Sequence, residues 1–431
     1  MSRFAYIPAA LLVLAACGGD EEPEARAQSQ RGVARASTPR PAAPYWGDER
    51  GLTREELERG RLDASWQSVV QLDSAAAGDA ARNPEKWEQI TPRSVNGGPV
   101  HLPVHGDVAG PTVLRTQILL DRALFSPGVI DGRWGKNTAK AVYWLQKREG
   151  LPATARMDSV TFARLVQLAG APAQLVRAHT LTAEDVKGPF VDLPEGDDAI
   201  YQIAKMECTC YESLSEKLSE TFHVSPELLE KLNPAAKLDS LRAGQTIQVP
   251  NVRDPEFRAQ GQVARIEVSG QGSFVHALDA QGRILYHFPS TLGSSYDPSP
   301  QGDFRIVSVT EDPTWHYQPS ILAHVPDDKP EAMIPAGPNN AVGVVWMDLS
   351  EPHYGIHGTK APETIGYTTS AGCVRLTNWD ALFLSRRVAK GTPVKFRDTR
   401  TGGAAARDTR SDTATAGRPS ARSRADTAGR G

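Results

Sequence analysis

Cysteine is scarce in this chain: four in 431 residues, Cys17, Cys208, Cys210 and Cys373. Only Cys373 falls in the C-terminal half. Long apolar runs are lacking too, and the run near the start, Phe4 to Ala15, is too short for an ordinary membrane span. A surplus of positive charge is also missing. With 48 Lys and Arg against 51 Asp and Glu the formal net charge is −3, so nothing argues for nucleic acid as a partner. What the chain does have is length and loop chemistry. Its 32 prolines and 37 glycines point to turns and linkers, and 40% hydrophobic residues support packed cores. A chain of this length has room for roughly two to four domains.

The few cysteines separate by context. Met1 to Ala16 reads as a targeting segment, with Arg3 as a positive start and Leu14-Ala15-Ala16-Cys17 looking like a bacterial lipobox. In that reading the signal is cleaved before Cys17, whose lipid chains anchor the protein to a membrane. An ordinary secretory signal with a stray cysteine is the alternative. Gly18, not aspartate, follows, which by resemblance to enterobacterial sorting places the protein in the periplasm, held to the outer membrane. Cys208 and Cys210 remain as an even pair in an oxidising compartment, which favours a local disulfide. Two ligands are too few for a metal site, and no metal or organic cofactor is implied.

Cys373 sits in the stretch from His353 to Asp380. A cysteine is a useful nucleophile as its thiolate, and a nearby imidazole takes the proton. His357, followed by Gly358 and Thr359, supplies the imidazole. Ser370-Ala371-Gly372 before the cysteine is a small-residue turn whose N–H groups suit an oxyanion. Two other readings stand beside this one. Cys373 could be an inert buried thiol. His353 and His357 could be a metal pair, but no glutamate follows the first histidine, and Tyr354-Gly355-Ile356 looks like strand.

The pattern resembles the catalytic signature of the L,D-transpeptidases of the YkuD family. It reads His357-Gly358-Thr359, then Ser370-Ala371-Gly372-Cys373-Val374-Arg375. Pro300 to Phe304, Pro313 to Tyr317 and Pro338 to Gly343 are similar to that family as well, so the resemblance spans about 262–397. One departure is plain: Ala371 stands where the family usually has a histidine. From residue 262 the pattern alternates as strands do (Ala264, Ile266, Val268; Phe304 to Val307; Val342 to Trp346), which argues an all-β sandwich or barrel. A helix is expected from Asn378 to about Val388 and a closing strand at Pro393 to Phe396.

The rest of the chain reads as modules, giving a multidomain α+β protein. Residues 17–45 are polar and read as a tether, and 398–431 as a disordered tail. Residues 46–109 read as a partly ordered region; Thr53 to Glu56 looks like a capping box. Residues 110–170 predict three helices, with Val113, Leu120 and Leu124 inward on the first, Val142 and Leu145 on the second, and Asp158 capping the third. Gln117, Leu120, Asp131, Gly132, Gly135 and Gln146 resemble the peptidoglycan-binding domain type 1. Trp134 and Trp144 read as core or partial core before sugar platforms. Residues 171–208 read as a connector. Residues 209–251, with Ser225-Pro226 opening a helix and Gly244 to Pro250 a strand, resemble a small βααβ LysM module, although Glu212-Ser213-Leu214 stands in place of its usual opening.

The resemblance implies a mechanism and its parts. Cys373 would be the nucleophile, His357 the base, and the Gly358 carbonyl the support of the imidazole. N–H groups of Gly372 and Cys373 would hold the oxyanion, and Ser370 would shape the turn. Arg375, with Thr359 and Tyr354, would contact substrate. The partner is then peptidoglycan, its stem peptides cross-linked 3→3 through a thioester. Three alternatives stay open: resolution by water, an anchored protein as acceptor, and an inactive wall-binding lipoprotein with Ala371 as the cause.

Overall fold

The computed structural model describes residues 83–397, apart from 197, 260, 295–296, 323–324 and 327. The lipobox with Cys17, the tether, the Thr53–Glu56 box and the tail lie outside the described residues.

Helices come first. α1 (Pro92–Gly97) opens on Thr91, whose hydroxyl accepts the Ser94 N–H at 3.0 Å. α2 (Pro111–Arg122), α3 (Lys136–Glu149) and α4 (Ser159–Leu168) pack around Val113, Leu120, Val142, Leu145 and Leu165. Asp158 caps α4 by accepting the Thr161 N–H at 2.7 Å. The two glutamines that stood out in the sequence each tie down a loop. Gln117 accepts the Gly132 N–H at 2.7 Å and donates to Asp131 Oδ1 at 2.9 Å. Gln146 accepts the N–H groups of Thr154 and Ala155 at 2.9 and 3.0 Å. Trp134 is buried in this core, whereas Trp144 packs edge-on against Phe274 and His276 of the later domain.

The next module begins earlier than the sequence suggests. β1 (Val176–Thr180) lies inside the expected connector and pairs antiparallel with β2 (Thr246–Pro250), Val176 against Pro250. A short polar strand with a distant partner carries little local signal, which is why Val-Arg-Ala-His-Thr passed for linker. The connector also holds α5 (Ala199–Ile203). Between the strands run α6 (Leu214–Thr221), capped by Ser213, and α7 (Pro226–Leu232), capped by Ser225. Cys208 and Cys210 form a disulfide. Between them, Thr209 donates its N–H to Ala336 O and accepts the Asn339 N–H, at 3.0 and 2.9 Å.

The last domain is a sheet curled around its own core. Its elements are β3 (Arg265–Ser269), β4 (Phe274–Leu278), β5 (Ile284–Pro289), β6 (Gly302–Glu311), β7 (Trp315–Tyr317), β8 (Ala332–Ile334), β9 (Val345–Leu349), β10 (Gly355–His357), β11 (Val374–Arg375), α8 (Asn378–Ser385) and β12 (Pro393–Arg397). Eight strands form one sheet in the order β11-β10-β9-β6-β12-β3-β4-β5, and β7 and β8 make a separate hairpin. Strands from both ends of the sheet share one core with Phe383 and Leu384 of α8, which a flat sheet would not allow. The curl closes where the chain after β5 meets β11: Thr291 N–H donates to Arg375 O at 3.0 Å and Arg375 N–H to Thr291 O at 2.9 Å. Two boundaries differ from the sequence reading. Val342 to Val344 is a turn, with Gly343 left-handed at φ 63°, so β9 starts at Val345. α8 stops at Ser385 rather than near Val388.

The modules pack directly on this sheet. Ser126 donates its N–H to His287 O at 2.9 Å, covering the β5 edge. Asn137 of α3 donates from Nδ2 to Ile365 O at 2.8 Å, touching the loop between β10 and β11. At the start of α8, Arg253 donates to Asp121 Oδ2 at 2.9 Å and to Asp380 Oδ1 at 2.6 Å. Asp380 also accepts from Ser126 Oγ at 2.7 Å, and Asp121 pairs with His223 Nδ1 at 3.0 Å.

Candidate active site

Cys373 stands one residue before β11, which runs parallel to β10 with Ile356 against Val374 and His357 against Arg375. Strand alternation sends Val374 and Ile356 into the core and sets Gly355, His357, Cys373 and Arg375 on the other face. β9 adds Trp346 and Asp348 to that face, opposite His357 and Gly355. The Trp346 ring stacks on the His357 imidazole, centroids 5.3 Å apart and 20° between planes. Its Nε1 donates to Asp348 Oδ1 at 3.4 Å, so the indole lies across Gly355, where any Cβ would collide with it. Glycine at 355 is therefore part of how the imidazole is shelved.

His357 is 4% exposed, and its Nδ1 lies 2.7 Å from Gly358 O. A carbonyl only accepts, so Nδ1 carries the hydrogen and Nε2 keeps its lone pair. Burial lowers the imidazole pKa to about 4, against opposing hydrogen bonds to Gly358 and Val342. Cys373 is a free, half-buried thiol that donates to His353 O at 3.6 Å. His353 is left-handed at φ 68°, the conformation of the turn that presents this carbonyl. Burial pushes the thiol up to about 11, a backbone hydrogen bond with Gly355 opposes this, and the Asp348 carboxylate adds to it. Both groups are therefore neutral near pH 7. At that pH the two groups therefore form no thiolate–imidazolium pair.

The turn before the thiol is bound on all sides. Ser370 Oγ donates to Cys373 O at 2.6 Å and accepts the Gly372 N–H at 3.2 Å. Gly372 is left-handed at φ 104°, and Tyr354 fills the space a Cβ would need. Ser299 Oγ donates to Gly372 O at 2.7 Å. Two expectations change here. The Gly372 N–H, expected to face an oxyanion, is engaged by Ser370. Thr359, expected to meet substrate, is 1% exposed, and its hydroxyl accepts the Ala361 N–H at 3.2 Å, so it serves the loop's own framework. Tyr354 rests on Gly372, its hydroxyl 3.4 Å from Pro298 O. Arg375 shares the His357 face, and burial lowers its guanidinium to about 10. Ala371 is half-buried within the turn.

Sequence reasoning missed one contributor. Asn378 reads as the start of a helix, and Thr377 does cap α8 by accepting the Asp380 N–H at 3.2 Å. The Asn378 side chain does more. Its Oδ1 accepts the N–H groups of Thr359 and Val344 at 3.0 and 3.3 Å. Its Nδ2 donates to both Glu220 oxygens at 3.1 Å and to Pro338 O at 3.1 Å. Burial raises Glu220 to about 8, despite the hydrogen bonds from Asn378 and Tyr211. No local pattern marks a contact between α6 and α8.

The YkuD model, described as the L,D-transpeptidase catalytic domain, matches residues 263–396, and a model described as "Putative peptidoglycan binding domain" matches 109–165. A Bacillus licheniformis protein named "Putative L,D-transpeptidase YkuD" is 31% identical over 181 residues, 42% of this chain and 92% of that protein. Its Bacillus subtilis namesake is 29% identical over 177 residues, 41% of this chain and 89% of that protein. Among solved structures, an L,D-transpeptidase from Xylanimonas cellulosilytica matches at 15% identity over 69% of this chain and 99% of that one, with a TM-score of 0.31. L,D-transpeptidase 3 from Mycobacterium tuberculosis, in complex with a faropenem-derived adduct, matches at 16% identity over 37% of this chain and 76% of that one, with a TM-score of 0.26. These two structural likenesses are too distant to carry weight.

Proposed function

Because this chain belongs to the YkuD family of L,D-transpeptidases, we propose that it cross-links peptidoglycan stem peptides through a thioester on Cys373. The carrying observation is the neutral thiol on the same sheet face as an imidazole whose Nδ1 is tied to Gly358 O. His357 Nε2 takes the Cys373 proton as sulfur attacks the carbonyl of the third residue of a donor tetrapeptide stem. The Cys373 N–H stabilises the oxyanion, and Gly372 joins once Ser370 releases its N–H. His357 returns the proton to the departing amine, D-alanine leaves, and the thioester remains. The side-chain amine of a third-position diamino acid on a neighbouring stem then attacks. Its proton passes through His357 back to sulfur, and a 3→3 cross-link results. Arg375 contacts a stem carboxylate, as a guanidinium suits.

The test is intact mass of the full-length protein after incubation with faropenem, followed by product masses from labelled tetrapeptide stems. A single adduct that disappears in Cys373→Ala is expected, together with a slowing of acylation by about 10²- to 10⁴-fold in His357→Gln. Dimeric product lacking one D-alanine supports transpeptidation, whereas monomeric tripeptide alone would make water the acceptor. An unmodified wild-type protein would sink the proposal.

The helical module, and with it the βααβ module as a LysM-like glycan binder, hold the enzyme against the wall and raise the local substrate concentration. Failure of the full-length protein to sediment with insoluble peptidoglycan would remove that role. Cys17 carries the lipid anchor, in the periplasm and on the outer membrane. Labelled palmitate that still enters Cys17→Ser would disprove it.

A further inference from the structure

We infer that Glu220, in the helix pair upstream of the sheet domain, is a positioning residue for His357, acting through the Asn378 amide. The inference rests on the proposed roles of Cys373 and His357.

An amide has a donor end and an acceptor end. The Glu220 carboxyl group takes the donor end of Asn378 with both oxygens, each 3.1 Å from Nδ2. The acceptor end is then aimed at the N–H groups of Thr359 and Val344, at 3.0 and 3.3 Å. Turned over, the amide would set its NH₂ against two N–H donors and its oxygen against the Pro338 carbonyl and the Glu220 carboxyl oxygens. Glu220, together with Pro338 O, thus sets which way Asn378 faces. Asn378 Oδ1 also sits against Gly358 and Gly343, so close that a Cβ on either would collide with it. Gly358 is the residue whose carbonyl holds His357 Nδ1 at 2.7 Å. The chain of contacts runs from Glu220 to Asn378, to the Gly358-Thr359 backbone, to the imidazole. Tyr211 steadies the far end, its hydroxyl donating to Glu220 Oε2 at 3.2 Å. The upstream helix pair is therefore part of the device that leaves Nε2 free for the thiol proton, whatever else it binds.

The experiment measures Cys373 acylation by faropenem in the full-length protein, separating the limiting rate constant from the half-saturating concentration. Glu220→Leu, which keeps bulk and removes the acceptors, should lower the rate constant on the order of ten- to a hundredfold with little change in half-saturation. Asn378→Asp should fall similarly, because the Glu220 carboxyl and Pro338 O then lose the amide donor they share. Adding Glu220→Gln to Asn378→Asp exchanges amide and carboxyl, returns a donor to the pair, and should restore the rate toward wild type. Mere loss of stability would not produce that rescue. A wild-type rate in folded Glu220→Leu, or an exchanged pair as slow as Asn378→Asp alone, would overturn the inference. If Glu220→Leu fails to fold, the exchanged pair decides. A wild-type protein that takes no adduct removes the premise itself, and is recognised because the failure precedes any substitution.

Discussion

The sheet face that carries the buried His357 imidazole and the half-buried Cys373, and the buried junction around Arg253, treat charge in opposite ways. On the sheet face, burial leaves His357 and Cys373 neutral, held near 4 and 11. At the junction, Asp121 and Asp380 are fully buried around Arg253. Burial pushes Asp121 up, but Arg253 and His223 outweigh it and hold the carboxyl at about 2. For Asp380 burial wins over Arg253 and Ser126, and the shift is upward. Desolvation is common to both sites, and the difference lies in partners. The junction supplies a guanidinium between two carboxylates, so its charges stay and fasten three modules. The sheet face instead sets a carbonyl and an indole against His357, and the Asp348 carboxylate pushes the Cys373 thiol further up, so both groups stay neutral. One region keeps its charges and the other sheds them.

Removing the guanidinium should break the comparison most severely. Arg253→Met leaves two buried carboxylates unmatched, and a loss of about 3 to 5 kcal/mol is expected from urea unfolding. A loss under about 1 kcal/mol would mean the carboxylates neutralise without cost, erasing the contrast with the sheet face.

Acid should separate the two regions in order. His357 takes its proton at about 4 when folded and at about 6.5 when unfolded, so the unfolded chain binds more protons between those values. The stability it supports is complete above about 6.5 and declines as pH falls toward 4, by about 3 kcal/mol at most. His276, held down to about 3 by burial, acts in the same direction. Asp121 contributes later, between about 3.8 and 2, because its folded value is depressed. Glu220, raised to about 8 by burial, acts the other way, so the readout is the difference between wild type and His357→Gln, which should shift in favour of the variant as pH falls from about 6.5 to 4. A difference that stays constant across that range would contradict the neutral, buried imidazole.

Ser126→Ala is the mildest probe. It removes one hydrogen bond to the Asp380 carboxylate, made at 2.7 Å, and should cost about 1.5 kcal/mol. Calorimetry showing no change would indicate that Arg253 alone satisfies Asp380.

Much of the candidate site was legible in advance because it is written locally. His357, Gly358 and Cys373 stand in one short stretch, and the tie between His357 Nδ1 and the next residue's carbonyl needs no distant partner. Asp158 and Ser225 announced their helices for the same reason, since a cap bonds three residues onward. The partners of Thr359 and of the Gly372 N–H were not legible, because what satisfies each, Ala361 and Asn378 for one and Ser370 for the other, is settled only when the loops close. β1 escaped notice because its partner lies beyond three helices, α5 to α7.

Local sequence carried the candidate groups (Cys373, His357 and the Ser370–Gly372 turn) and the helical and alternating patterns of the modules. Tertiary structure alone decided their surroundings. It brought Glu220 to Asn378, Arg253 between Asp121 and Asp380, and Trp346 over His357. Side-chain periodicity and capping act within a few residues and can be read along the chain, whereas burial, and the charge states it imposes, depend on what the folded chain brings from far away.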